Sequence, residues 1–348
     1  MKIKKDVLSI MDDYSTFFVD LYGVLFDGMT FSKQVLLTLK VLKQAGKKVV
    51  IVSNSAALAS ESYAGYVKGG LIPGVHYDEF VTSGEYLHYS LKNYSDKFSE
   101  AIGGPANTVK CVFMGNSGIF RETGIQSVSD TAEADFLYLG PPRSSYGTVY
   151  LDDVRDEKEK EVNLEDVLSK DWNSLKDRYG RTGLMEFAAL LEKCLRLNKT
   201  LLILNPDIFA SVTVDQFPNH ARPIVTQGIL GAYYEKLGGR VVRYGKPNVE
   251  IFEYAKQISD AVNPIIMVGD TPWTDVSGAS ACGIDAALVT STGVSFTFLN
   301  KMDRSLSMNE KLNYLFNVIA PKMSKSLFNV RPRHFIEHFY RTNLPHTI

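Results

Sequence analysis

Cysteine is scarce in this chain: Cys111, Cys194 and Cys282 stand far apart in 348 positions, with no CxxC pair and no metal-ligand spacing. That excludes a disulfide framework and a thiolate metal centre, and leaves each cysteine the role of a small core residue. Long apolar runs are missing too, so no segment reads as a membrane span. The opening MKIKKDVLSIMDDY reaches acidic residues before any apolar run of signal-peptide length. Surplus charge is also lacking: a formal net charge of -1 provides no basic field to hold nucleic acid or an anionic membrane. Repeats and low-complexity tracts do not occur. The expectation is a protein of a reducing, soluble compartment, most simply the cytoplasm, with neither nucleic acid nor membrane as partner. What is present is ordinary globular composition, 45% hydrophobic and 22% charged, over a length that suits one large or two medium domains.

Strand-like and helix-like stretches alternate in a way that predicts an α/β fold with a doubly wound parallel sheet. Phe17 to Phe26 (FFVDLYGVLF) is apolar on both sides of a single acid, as a strand buried on both faces and ending in a turn would be. A helical stretch follows near Ser32 to Ala45, then the strand Lys48 to Val52 running into Ser53-Asn54-Ser55, then a short strand Glu79 to Thr82. The pattern returns late, with strands at Arg240 to Arg243, Pro264 to Val268 and Ala286 to Val289 and a helix at Pro247 to Ile258. Between the halves lies a block with strands of its own, Lys110 to Met114, Phe136 to Leu139 and Thr200 to Leu204. This organisation predicts a first half-core over 1–85, an inserted α/β cap over 86–212, a second half-core over 213–300 and a C-terminal extension over 301–348. The charge run Asp152 to Glu161 reads as a solvated face. The basic, aromatic stretch Phe328 to Tyr340 reads as a packing or dimer-contact segment, which allows a homo-oligomer.

In an open parallel sheet, ligands bind beyond the carboxyl ends of the strands, so residues directly after each apolar run are the informative ones. Four such places carry polar chemistry: Asp20 with Gly23, Asp27 and Gly28 in DLYGVLFDG; Ser53-Asn54; Gly245-Lys246-Pro247; and Gly269-Asp270 with Asp275 in GDTPWTD. Singly, each has an ordinary structural use as a turn acid, a helix cap or a loop. Jointly they supply what phosphoryl transfer needs: an in-line nucleophile, ligands for a divalent cation, and donors for the equatorial oxygens. Asp20 can attack phosphorus and form an aspartyl-phosphate. Asp20 and Asp270 offer hard oxygen ligands to Mg²⁺, Asp275 can hold a metal-bound water or Lys246, and Lys246 with Ser53 can bind phosphate oxygens. The six histidines are scattered, the pair His334 and His338 reads as surface or interface, and Trp273 as packing.

At these residues the chain resembles the haloacid dehalogenase superfamily, over Phe17 to about Gly293. LYGVLFDG before a helix, the turn Asn205-Pro206-Asp207 and VGDTPWTDVSGASACGIDAALVTSTG are similar to its class IIA branch, which carries an α/β cap after the third strand. The resemblance implies Asp20 as nucleophile and metal ligand, the Tyr22 main-chain carbonyl and Asp270 as further ligands, Ser53 and Lys246 at the phosphate, and Asn205 to Asp207 near the substrate, with Tyr22 and Asn54 also in the substrate-binding set. It implies a small, sugar-phosphate-like phosphorylated substrate and Mg²⁺ as cofactor. One position departs from the family pattern: two places after the nucleophile, where a carboxylate ordinarily protonates the leaving oxygen and later activates water, this chain has Tyr22. Tyrosine there with Ser53-Asn54 also resembles the metal-independent 2-haloacid dehalogenases, yet the pair Asp270 and Asp275 would repel a haloacid unless neutralised. A third reading is a protein that holds a phosphorylated ligand with little turnover.

Overall fold

The computed structural model describes residues 2–93, 95–114, 118–140, 143–144, 147–148, 184–214, 217–323, 330–342 and 344. The expected charge run at 152–161 therefore lies outside the described residues, as do residues 328 and 329 and His346. In chain order the strands are β1 (Ile3–Lys4), β2 (Thr16–Val19), β3 (Lys48–Ser53), β4 (Glu79–Thr82), β5 (Lys110–Met114) and β6 (Gln126–Ser127). There follow β7 (Phe136–Leu139), β8 (Arg143–Ser144), β9 (Gly147–Thr148), β10 (Thr200–Ile203) and β11 (Phe209–Val214). The last are β12 (Phe217–Val225), β13 (Val241–Arg243), β14 (Ile265–Gly269), β15 (Asp285–Val289) and β16 (His334–Ile336).

Seven strands form one parallel sheet in the order β1-β16-β15-β14-β2-β3-β4. Its central strands are apolar at consecutive positions because both faces are covered. Val49 and Ile51 of β3 pack on one side and Val50 and Val52 on the other, all out of solvent; Ile266 and Val268 of β14 alternate with Ile265 and Met267 in the same way. The helix Lys33–Gln44 shows how the connections are specified. Ser32 caps it by accepting from the Val35 amide at 3.2 Å, and Val35, Leu39 and Leu42 form its buried stripe. Gly46, at φ 72°, ends it in a left-handed turn that feeds β3.

The second half of the sheet, added after the inserted block, grows from β2 in the opposite direction. Strands β3 and β4 build outward on one side of β2, and β14, β15 and β16 on the other, so the order reverses between β2 and β14. A crevice opens at such a reversal, beyond the carboxyl ends of the strands. A second parallel sheet, β13-β10-β7-β5-β6, is inserted after β4, and two antiparallel hairpins, β8 with β9 and β11 with β12, accompany it. The fold is a Rossmann-like α/β core with an inserted α/β cap.

Two expectations need correction. The strand Val241–Arg243 belongs to the second sheet, paired with β10, so that sheet runs past the expected boundary at 212. The segment after 301 is not an appendage to the core: β16 sits between β1 and β15 inside the large sheet, and Phe335 and Ile336 are buried. The aromatic stretch around it is thus a packing segment, with Tyr14 hydrogen-bonding both Asp285 and His334 beneath it. With three residues in β16 and two in β1, neither has enough apolar length to read as a strand from sequence alone; β16 is held by β15 on one side, and β1 adds to its other edge.

The chain ends are tied by Asp6. Its carboxylate caps the turn Val7–Asp13 through the Ser9 amide at 3.0 Å and accepts from Arg341 Nε at 2.9 Å and Nη2 at 3.2 Å. Burial opposes its charge, but Arg341 and Ser9 outweigh that and hold the carboxyl below the ordinary range. Asp6→Ala is expected to lower the urea-unfolding free energy by about 2 kcal/mol through lost capping and charge-assisted bonds. Because the native carboxyl is depressed, this contribution is in place above the unfolded value of about 4 and is lost as pH falls through the lowered native value. An equal wild-type and variant stability at pH 7 would contradict it.

Candidate active site

Adjacent strands at the reversal carry the acids. Asp20 follows β2 and its amide bonds the Val268 carbonyl of β14 at 2.9 Å, while Asp270 follows β14 directly. Asp20, Asp270 and Asp275 each present a carboxylate oxygen within 4.8 Å of the others, and all three are buried. Lys246, itself 2% exposed, comes in from the loop after β13. Its Nζ donates to Asp20 Oδ1 at 2.6 Å, Asp275 Oδ1 at 2.7 Å and the Val52 carbonyl at 2.9 Å. The other oxygen of Asp275 accepts from the amides of Asp270 at 3.1 Å and Thr271 at 3.0 Å, which folds GDTPWTD back over the strand end. Asp270 accepts from the Thr271 hydroxyl at 3.0 Å and the Val294 amide at 2.5 Å. Gly293, at φ 66°, lets that amide approach: any Cβ on it would overlap Asp270 Oδ2.

The electrostatics follow from three buried carboxylates against one buried ammonium. Burial raises the Asp270 carboxyl well above the usual range, and Asp20 and Asp275 raise it further. Burial likewise pushes Asp20 upward, against the pull of Lys246. Burial disfavours the charged form of Lys246, but Asp20 and Asp275 outweigh it and keep its pKa above the ordinary lysine value. Hard oxygen donors with surplus negative charge and a mutual spacing within 4.8 Å fit a small divalent cation. They would repel an anion left alone with them.

Around this centre lies a polar wall. Ser53 is buried at the end of β3, with its hydroxyl accepting from the Ser55 amide at 3.2 Å. Asn54 accepts the Lys246 amide at 2.7 Å and donates to the Lys246 carbonyl and to Asp207 Oδ2, each at 3.1 Å. Asn205 accepts the Asp207 amide at 3.0 Å. The expected residues Asp20, Lys246, Ser53, Asn54, Asp207, Asp270 and Asp275 are thus brought together, and Asn205 shapes the turn that delivers Asp207. Burial pushes the Asp207 carboxyl up to about 6, against Lys246 and the Asn54 amide, which favour its charge.

Asp27 and Tyr22 are placed differently from what their positions in the sequence suggest. Asp27 is exposed and accepts from the amides of Met29 at 2.8 Å and Thr30 at 2.7 Å, closing a turn outside the cluster. The Tyr22 side chain packs edge-on against Phe26, at 5.4 Å between centroids, and its hydroxyl bonds that of Tyr66. Burial and Tyr66 raise its pKa above the ordinary tyrosine value. Trp273 packs on Phe298, as expected. Sequence reasoning missed Gln227, whose Oε1 accepts the amides of Leu204 at 2.7 Å and Asn205 at 2.8 Å. A glutamine opening a helix carries no signal of this kind. Thr271 and Thr274 were legible only as members of GDTPWTD.

Known proteins resemble this chain in the same regions. The family described as haloacid dehalogenase-like hydrolase matches residues 17–124, and a second, HAD-hydrolase-like family matches residues 243–298. Both halves of the core sheet thus match haloacid dehalogenase-like families. A cardiolipin synthase (CMP-forming) / mitochondrial hydrolase fusion protein of Schizosaccharomyces pombe is 25% identical over 293 residues, 77% of this chain and 46% of that protein. The chain therefore spans about half the length of this curated relative. Among solved structures, a possible sugar phosphatase of Cytophaga hutchinsonii superposes with TM-score 0.63 at 18% identity, covering 98% of this chain and 99% of that one. A glycerol phosphate phosphatase of Mycobacterium tuberculosis, in complex with magnesium, has TM-score 0.54 at 14% identity, covering 97% and 78%. At these identities the two structures speak to fold.

Removing the ammonium tests the charge balance. Lys246→Met is expected to cost about 3–5 kcal/mol in urea unfolding with EDTA present, because it leaves buried carboxylates uncompensated. Adding Asp20→Asn to Lys246→Met is expected to recover part of that loss. A double variant no more stable than the single one would show that charge is not the cause.

Proposed function

We propose that this chain is a magnesium-dependent phosphatase that hydrolyses a small, sugar-phosphate-like metabolite through an aspartyl-phosphate at Asp20. The observation that carries the reading is the ammonium of Lys246 shared between Asp20 and Asp275 beside Asp270, at the reversal of the sheet. Asp20, Asp270, Asp275 and the Tyr22 carbonyl would hold Mg²⁺, which when bound offsets charge on the phosphate and the carboxylates. Lys246 holds the nucleophile carboxylate in one rotamer and adds positive charge beside the phosphate. The Ser53 hydroxyl and the amides of the turn after β3 donate to its oxygens. Asn54 fixes the Lys246 main chain, so the ammonium is aimed before substrate arrives.

The two structural relatives, a possible sugar phosphatase and a glycerol phosphate phosphatase in complex with magnesium, support substrate class and metal. The dehalogenase reading is disfavoured by three buried carboxylates that would meet a haloacid. Among the described residues no helix is long and apolar enough to cross a membrane. The cysteines are free, in keeping with a reducing compartment such as the cytoplasm; the name of the S. pombe relative makes the mitochondrion the alternative.

Purified protein is expected to release p-nitrophenol from p-nitrophenyl phosphate with Mg²⁺ and to stop in EDTA, and Asp20→Asn is expected to lower turnover to background. In the same buffers Mg²⁺ should raise the thermal midpoint of the wild type and leave that of Asp270→Asn unmoved. Chloride release from 2-chloropropionate in EDTA, without phosphatase activity, would reverse the assignment.

A further inference from the structure

Hydrolysis of an alkyl phosphate needs a proton carrier twice. The departing alkoxide must be protonated as its bond to phosphorus breaks, and the water that attacks the aspartyl-phosphate must lose a proton. Most groups at the centre are committed elsewhere. Lys246 spends its three N–H bonds on Asp20, Asp275 and Val52. Asp275 has both oxygens engaged, one on Lys246 and one on two amides, and Asp270 takes Thr271 and Val294. The Tyr22 hydroxyl is turned to Tyr66.

Asp207 is the exception. It comes from the turn after the cap strand β10, and one oxygen, Oδ2, accepts from Asn54 at 3.1 Å. The other, Oδ1, is out of solvent with no hydrogen-bond partner among the described residues. The backbone that presents it is held firmly: the Asp207 amide donates to Asn205, its carbonyl accepts from the Thr226 hydroxyl, and Gly228 is packed so closely on that carbonyl that any Cβ would overlap it. A single side chain, Asn54, links Asp207 to Lys246.

Building on the phosphatase reading, we propose that Asp207 is the acid and the base of the reaction. In the first half its proton passes to the leaving oxygen while the bond from phosphorus to that oxygen breaks and the bond from the Asp20 carboxylate to phosphorus forms. In the second half its carboxylate takes a proton from water as the water oxygen bonds to phosphorus and the Asp20–phosphorus bond breaks. Inorganic phosphate leaves, Asp20 is a carboxylate again and Asp207 is again protonated. A carboxyl that burial has pushed up to about 6 can exchange its proton near neutral pH; Lys246, Asn54, Thr274, Asp275 and Asp20 are the groups that face it.

The test compares two substrates with Mg²⁺ in the full-length protein: glycerol phosphate, whose leaving alkoxide needs a proton, and 2,4-dinitrophenyl phosphate, whose leaving group does not. In Asp207→Asn, kcat on glycerol phosphate is expected to fall about 100- to 10,000-fold. The dinitrophenolate burst should stay within about tenfold of wild type, phosphorylated Asp20 should accumulate, and the limb of the pH profile near 6 should vanish. Asp207→Ser, which is smaller and has no acid, is expected to show the same selective loss and serves as the second variant if asparagine disturbs folding. Equal losses on the burst and on glycerol phosphate, or no loss on either, would overturn the proposal. A wild type inert toward both esters would remove the phosphatase reading, and the proposal with it.

Discussion

The buried ammonium of Lys246 is the interaction on which the rest of the site depends. It stands at the meeting of three strand ends, bonded to Asp20 after β2, to the Val52 carbonyl within β3 and to Asp275 in the loop after β14. A buried charge without partners costs several kcal/mol, so these contacts are nearly obligatory for the folded chain and hold three segments in one arrangement. The same requirement extends outward. The Asn54 side chain is locked to both backbone groups of Lys246, and through Asp207 it reaches the turn at the end of β10. Cap and core are therefore joined at the site itself by a polar chain rather than by apolar packing alone.

Much of this was legible in the sequence because a parallel sheet buried on both faces leaves a strong mark. Val49 to Val52 and Ile265 to Val268 are unbroken apolar runs, so polar residues just beyond them stand out, and Asp20, Ser53, Asn54 and Asp270 were found in that way. Strand identity was read well; sheet membership was not. Val241–Arg243 is a half-buried strand with nothing in its three residues to say which sheet it joins, and only its register with Leu201 to Ile203 decides. The strand at His334–Ile336 was hidden for a related reason. It is short, flanked by charge, and held by pairing with β15, nearly fifty residues earlier in the chain.

Side-chain direction was the other limit. Asp27 and Asp20 lie seven residues apart in one motif and are both acids, yet one closes a solvent-facing turn and the other is buried under Lys246. Nothing local separates them; the neighbouring strand β14 does, by covering the end of β2. Gln227 was invisible because its work, bridging the amides of Leu204 and Asn205, depends on the helix it opens being packed against the end of β10.

Tyr22 makes the same point in chemical terms and bears on where a proton carrier can be placed. Phe26, Phe31, Tyr66 and Phe80 pack ring on ring, with centroids 4.7 Å apart for Phe26 and Phe31 and 5.5 Å for Tyr66 and Phe80, and Tyr22 joins them at its edge. An ionised carboxyl turned into that wall would lose hydration with only a tyrosine hydroxyl in exchange, which is a poor trade for a charge. Tyrosine suits the place because its ring belongs to the cluster and its hydroxyl is satisfied by Tyr66. With the core side of the nucleophile occupied by aromatic packing, a titrating group must come from across the crevice. The turn after β10 faces Asn54 from that direction, and the acid it carries is Asp207.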